Sequence, residues 1–345
     1  MAVALSKASF GWGRSVAQIV LGIGTSHTPQ MTMDPELWED HARRDLRNPQ
    51  LIGHDGEVHS YEELICETPS SVLGQLNLYE YRRKHDRAQL GLNLLATQLR
   101  DVRPDVVIVV GDDQNEFFGP EGIPAIGIFT AEIARDIPTS SQMLAGLSAG
   151  MRQSHWASHS ESGYEHLVHA ALAEHLTAQL SLGDFDVTRV KQQKPGTSIG
   201  HAFNFVRYRL ELDAAIPFVP IFLNTYIPPN VLSPLRSYKL GQAIRRAVDA
   251  FDEDLRVAIV GSGGLSHFVV LEEFDQEVLR AIGMHDTDSI ARLSRSFFRS
   301  GTSEVLNWVT AGGALEHLKM QVIDYIPGYR SPAGTGTGMA FAIWQ

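Results

Sequence analysis

Two adjacent acids and an amide, Asp112, Asp113 and Gln114, follow directly on an apolar run in the segment VVGDDQNEFF. The C-terminal tip of a buried strand is where a layered α/β protein gathers its chemistry, because strand ends along one sheet edge converge in space. Three histidines stand in related contexts: His27 after VLGIGTS, His267 after VAIVGSGGLS, and His201 in IGHAFNF ahead of an apolar strand. Taken singly, such a histidine is more commonly a hydrogen-bonded structural or surface group than a ligand. Two that directly follow strands, beside an acidic strand tip, make a set that could move protons or hold a divalent metal.

The elements that must position these residues are legible as an alternation. Short Val- and Ile-rich runs closed by Gly or Pro, at Val16 to Gly22, Asp105 to Val110, Phe218 to Asn224 and Val257 to Val260, read as strands covered on both faces. Between them, helical spacing of apolar residues marks Arg87 to Arg100, Glu165 to Leu180, Leu240 to Phe251, Glu273 to Ile282, Thr287 to Phe298 and Ser303 to Ala311. Alternating strands and helices predict an α/β layered domain, a mixed central sheet flanked by helices, in a single unit spanning residues 1–345. A polar, charge-rich stretch at about 28–104, containing DPELWEDHARRDLRNPQ, reads as an insertion lying over the core.

Composition narrows the partners. A chain of 345 residues with 43% hydrophobic residues can bury a sizeable core, and a net charge of -11 without a basic run argues against nucleic acid or an anionic membrane surface. Small molecules or other proteins are the expected partners. The one cysteine, Cys66, allows no internal disulfide and no cysteine-based zinc site, which fits a reducing, cytoplasmic setting. No apolar run reaches the roughly 18 residues of a membrane span, and MAVALSKASFGWGRS reads as a ragged terminus rather than a signal peptide.

Other patterns carry less. Gly22 and Gly24 sit in GxGxxH, not the GxGxxG of a dinucleotide loop, and neither GSGGLSH nor AGTGTG contains the GK[ST] of a phosphate-binding loop. Both read as tight turns at strand ends, with substrate contact equally open for AGTGTG. His155, His159, His166, His169 and His175 lack the HExxH spacing of a zinc helix, and the last three read as a polar helix face.

Taken in order, GTSHTP, PDVVIVVGDDQNEFF, GHAF, IPFVPIFLNTYIPP, VAIVGSGGLSH and SGTSEVLNW resemble the class III extradiol ring-cleavage dioxygenases, the LigB-like family. The resemblance runs from about Val20 to the C-terminus, the insertion apart. It implies a LigB-like α/β fold and a mononuclear Fe(II), or another divalent metal, held by two His and one carboxylate, with open positions for a catecholate and O2. By that resemblance His27 is the first metal ligand and Glu304 the carboxylate ligand. His267 is the acid/base and His201 a neighbour of the O2 and substrate hydroxyl. Thr335, in the terminal SPAGTG, falls where the substrate's carboxylate or ring substituent binds, with Arg330 as a charged partner of that group. The family's NDHxxxF places its second His ligand at Gln114, an amide with a weaker donor. Gln114 could ligate directly or through water, or Asp112, Asp113, Glu116 or His59 could take its place. The expected activity is oxygen-dependent opening of a catechol-like ring of the hydroxybenzoate class. The expected assembly is a homo-oligomer, with room for a small helper subunit. A metal-dependent hydrolase or lyase on the same scaffold, and a non-catalytic subunit, are the alternatives.

Overall fold

In the computed structural model, which describes residues 16–345, the apolar runs pair into one sheet. Its strands are β1 (Gln18–Thr25), β2 (Val106–Asp112), β3 (Ile126–Phe129), β6 (Thr188–Val190), β7 (Phe218–Leu223), β8 (Arg256–Ser262), β9 (Met320–Tyr329) and β10 (Gly336–Trp344). A separate antiparallel pair joins β4 (Ile133–Asp136) to β5 (Tyr164–Leu167). The sheet order is β6-β3-β7-β2-β8-β1-β10-β9. Its centre, β7-β2-β8-β1, is parallel, whereas β10 runs antiparallel to β1 and β9 to β10. Four neighbouring strands therefore end at the same edge, and the loops that carry the candidate residues leave from there.

Strand β2, VVIVVGD, is buried at every position, as a central parallel strand covered on both faces must be. Val106, Ile108 and Val110 enter one core and Val107 and Val109 the other. The first core is closed by helices α2 (Ala170–Leu182), α4 (Pro234–Asp249), α5 (Glu272–Gly283) and α6 (Val305–Ala314). The second is closed by α1 (Leu78–Val102) and α3 (His201–Tyr208). The architecture is a three-layer α/β sandwich. Helices α4 and α6 touch backbone to backbone: a Cβ on Gly313 would lie 2.1 Å from the Tyr238 carbonyl oxygen, and one on Gly241 1.9 Å from that of Thr310.

Three expectations change. The helix predicted from Glu165 begins at Ala170, because residues 164–167 pair with β4 instead and His169 caps the helix by accepting from the Leu172 amide. His166 is thus a strand residue, not part of a polar helix face. The helix predicted over Thr287 to Phe298 stops at Arg292 and resumes as a 3-10 turn at Arg295–Arg299. The stretch 28–104 divides, since the 25 residues Leu78–Val102 near its end form α1, which packs on the sheet with Gly91 against Phe341. What precedes it, 29–77, is a chain of short helices anchored by fully buried Trp38, whose indole N–H donates to the Gln30 carbonyl. The residues 1–15, read from sequence as a ragged terminus, lie outside the described residues. Among the described residues no helix is long and apolar enough to cross a membrane.

Candidate functional site

His27 stands two residues beyond the end of β1, and its ring is fixed from behind. The Ser262 hydroxyl, at the end of β8, donates to the Ala202 carbonyl at 2.8 Å, so at 3.2 Å it can only accept from His27 Nδ1. A neutral His27 therefore carries its proton on Nδ1 and presents the Nε2 lone pair to the site. That nitrogen lies 3.2 Å from Glu304 Oε2 and 3.1 Å from His201 Nε2.

Glu304 is delivered by a 3-10 turn, Gly301–Glu304, that leads into α6. Its side chain is 1% exposed and takes up every approach: Oε2 accepts from the Gly264 amide at 2.9 Å, and Oε1 from Gln114 Nε2 and His267 Nε2, each at 3.0 Å. Gly263 and Gly264, both at positive φ, let the GGLSH loop wrap this carboxylate closely; a Cβ on Gly263 would stand 2.8 Å from Oε2. Burial would raise the Glu304 carboxyl, but His267 and His27 beside it hold it well below the ordinary range.

His267 has Nδ1 set against the Leu265 carbonyl at 3.0 Å, which fixes the proton there and leaves Nε2 as the working nitrogen. Burial opposes its protonation, and the Glu304 charge outweighs burial, so its pKa is raised. His201, the first residue of α3, donates from Nδ1 and from its backbone N–H to Glu116 Oε2, at 2.7 and 2.8 Å. Burial works against the imidazolium, yet the charge and hydrogen bond of Glu116, then Asp112 and Glu304, raise it to about 10. Glu116 is correspondingly held down to about 2: burial pushes it up, and His201 overrides this.

Asp112 lies behind the wall, fully buried, with Asn307 Nδ2 donating to Oδ1 at 3.1 Å and Gln114 Nε2 to Oδ2 at 3.3 Å. Burial, and then Glu304, raises its carboxyl pKa. Ligand atoms of His27, Asp112 and His201 all fall within 4.8 Å of one another. Donors adjacent in the shell of one cation with bonds of about 2.1 Å lie about 3 Å apart, so the spacing of His27, Glu304 and their neighbours fits a small divalent ion. The grouped donors are two imidazoles and one carboxylate, with the Glu304 carboxylate beside His27, a set of N and O ligands suited to such an ion.

Of the residues singled out in the sequence, His27, Gln114, Glu116, His201, His267, Glu304 and Arg330 line one cavity of about 1130 Å³. Others fall elsewhere. Asp113 turns its carboxylate to the backbone amides of Glu116, Phe117 and Phe118, where it shapes the loop. His59 pairs with Asp55 in the 29–77 segment, outside the cavity wall. Glu116 is spent on His201 and so orients a neighbour. Thr335 is fully buried, donating to Asp45, and does not reach the wall. Arg330 reaches it, but its Nε and Nη2 both donate to Asp45, each at 2.8 Å, and Nη1 donates to Gln30.

Several site residues carried no sequence signal of their own. Asn307 stands three residues after Glu304, a spacing that shares one helix face and could have paired them. Ser262 lies within GSGGLSH and reads there as part of a turn. Tyr226, in LNTYIPP, lines the cavity beside His267, and its phenol is kept protonated by burial and by the charges of Glu304 and Asp112. Gly22 and Gly24 are packing glycines: a Cβ on either would strike Leu315 or Trp308.

Residues 78–340 match the family described as the catalytic LigB subunit of aromatic ring-opening dioxygenase. The chain belongs to the LigB family. A gallate dioxygenase of Pseudomonas putida is 31% identical over 161 residues, which cover 43% of this chain and 46% of that protein. The chain thus matches somewhat under half the length of this curated relative. As a LigB protein it carries the α/β fold of that family. The match begins at the first residue of α1, so β1 and His27 lie outside the matched stretch.

Proposed function

We propose that the protein is a non-haem Fe(II)-dependent extradiol dioxygenase that opens a catechol-like ring of the hydroxybenzoate class, with O2 as co-substrate. The observation that carries this reading is the His27 Nε2 lone pair, fixed through Ser262 and aimed at the Glu304 carboxylate on the cavity wall. His27 and Glu304 would hold the metal, with Asp112 as the third donor and Gln114 as an amide that donates to both carboxylates. Bound there, Fe(II) would supply the activation of O2 that ring opening requires. His267 takes and returns a proton at Nε2, because Nδ1 is committed to Leu265. His201, held as a cation by Glu116, steadies negative charge building beside His27. Tyr226 offers a phenolic O–H at the same wall. Gallate, the named substrate of the Pseudomonas relative, is a hydroxybenzoate, which supports this substrate class.

The test is anaerobic loading with Fe(II) followed by oxygen uptake on a panel of catechols and dihydroxybenzoates. Uptake with at least one diol is expected; none, in protein shown to hold iron, sinks the reading. Gln114→His adds a second measurement. If the amide sits within reach of the ion, the imidazole tightens Fe(II) binding by about tenfold or more; unchanged affinity moves Gln114 out of the metal's surroundings. One feature favours a second reading. Two carboxylates bridged by an amide suit Lewis-acid chemistry, and turnover that persists without oxygen or with zinc would mark a hydrolase or lyase instead.

A further inference from the structure

The cavity wall far along the sequence from the strand ends is built by the 29–77 segment, and it is cationic. Arg44 lines the cavity, and its guanidinium forms no hydrogen bond or ion pair with any described residue. Arg330, on the same wall, is different in kind, because Asp45 already neutralises it through two hydrogen bonds. With Arg330 and Asp45 cancelling, one positive charge remains, and it belongs to Arg44. Burial, and then the repulsion of Arg330, press against that charge and lower the Arg44 pKa.

Beside it, His41 is 5% exposed, lines the same cavity, and has a buried Nδ1 with no hydrogen-bond partner. Buried polar nitrogens without a partner are uncommon and costly, and here the ring that carries one borders the cavity. Burial, then Arg330 and Arg44, lower the His41 pKa well below its ordinary value, so the imidazole is neutral. It can still donate one N–H.

We propose that Arg44 and His41 form a carboxylate-binding subsite, which takes the acid group of an aromatic substrate whose hydroxyls face Glu304 and His267. The guanidinium supplies charge and a pair of parallel donors, and the imidazole supplies one further hydrogen bond. Thr335 and Arg330, expected from sequence to meet the ring substituent, instead fasten this wall to the β9–β10 turn through Asp45. The subsite deepens the catechol reading and rests on it for the orientation of the ligand.

The experiment is an anaerobic binding titration of the Fe(II)-loaded protein with 3,4-dihydroxybenzoate, 4-methylcatechol and benzoate, for the wild type, Arg44→Gln and Arg44→Lys. The Arg44 side chain holds no hydrogen bond to the rest of the fold, so these variants should fold, and thermal melting checks that they do. Loss of the charged hydrogen bonds should weaken dihydroxybenzoate and benzoate by about ten- to a hundredfold in Arg44→Gln and leave methylcatechol unchanged. Arg44→Lys should recover part of the loss. His41→Phe tests the second donor and should weaken the two acids alone. Equal affinity of wild type and Arg44→Gln for dihydroxybenzoate, or no binding of either acid, overturns the subsite. Should benzoate bind through Arg44 while no diol is bound or opened, the subsite stands and the ring-opening reading falls. Should diols bind and open regardless of Arg44, the reverse holds.

Discussion

Asp112, Gln114, Glu116, His27 and His201 show how few interactions decide the state of each group. A single hydroxyl, Ser262, selects the tautomer of His27, and a single carboxylate, Glu116, sets the charge of His201. The second of these is a statement about stability and pH. The folded Glu116 titrates near 2, below the ordinary 4.5, so its contribution is present above 4.5 and lost as pH falls toward 2. The folded His201 titrates near 10, above 6.5, so its contribution is full below 6.5 and lost as pH rises toward 10. In chelator-treated protein, Glu116→Gln should therefore cost about 1–3 kcal/mol, with the gap in melting temperature from wild type widest between pH 4.5 and 6.5. A gap that stays flat from pH 4 to pH 9 would separate the pair. From sequence, the five candidate positions were visible as residue types, but not their division of labour. Asp113 and Glu116 look equivalent to Asp112 along the chain; the backbone amides that claim Asp113 and the imidazole that claims Glu116 appear only once the loop is folded.

Among the elements, α6 has the most demanding task. It must hold Glu304 at its N-terminal approach while its far end sinks against α4. The contact between Gly313 and the Tyr238 carbonyl admits no methyl group, and both sides are backbone, so neither can yield by changing rotamer. Gly313→Ala is expected to destabilise the fold by about 3 kcal/mol or more, read as a drop in urea midpoint with unchanged slope. A midpoint within error of wild type would show that the two helices have slack. Periodicity found α6 because its apolar residues are spaced for a helix. It missed β5 because YEHL, short and polar, resembles strand only when β4 lies beside it. The helix over Glu165 to Leu180 was therefore extended too far, through His166, whose Nε2 in fact donates to Asn204 Oδ1.

For the whole molecule, the alternation of strands and helices was enough to give the sheet and its layers, since buried parallel strands have a composition that few other elements share. The segment 29–77 was not: its charged residues read only as an insertion lying over the core, and the fold alone reveals that Asp45 is a buried anchor. Both of its oxygens are engaged by Arg330, and Thr335 donates to it as well. Asp45→Ala would strand a buried guanidinium and should cost about 3–5 kcal/mol, with early proteolytic cleavage within 29–77 as the marker. Resistance equal to wild type would place the anchor elsewhere. The sheet order has one further consequence. Strand β1 lies between β8 and β10, yet it precedes the stretch that matches the family. A protein trimmed to 78–340 would lose a strand from the interior of its sheet, leaving two facing rows of backbone donors and acceptors with nothing between them. Such a fragment would be sticky rather than merely inactive.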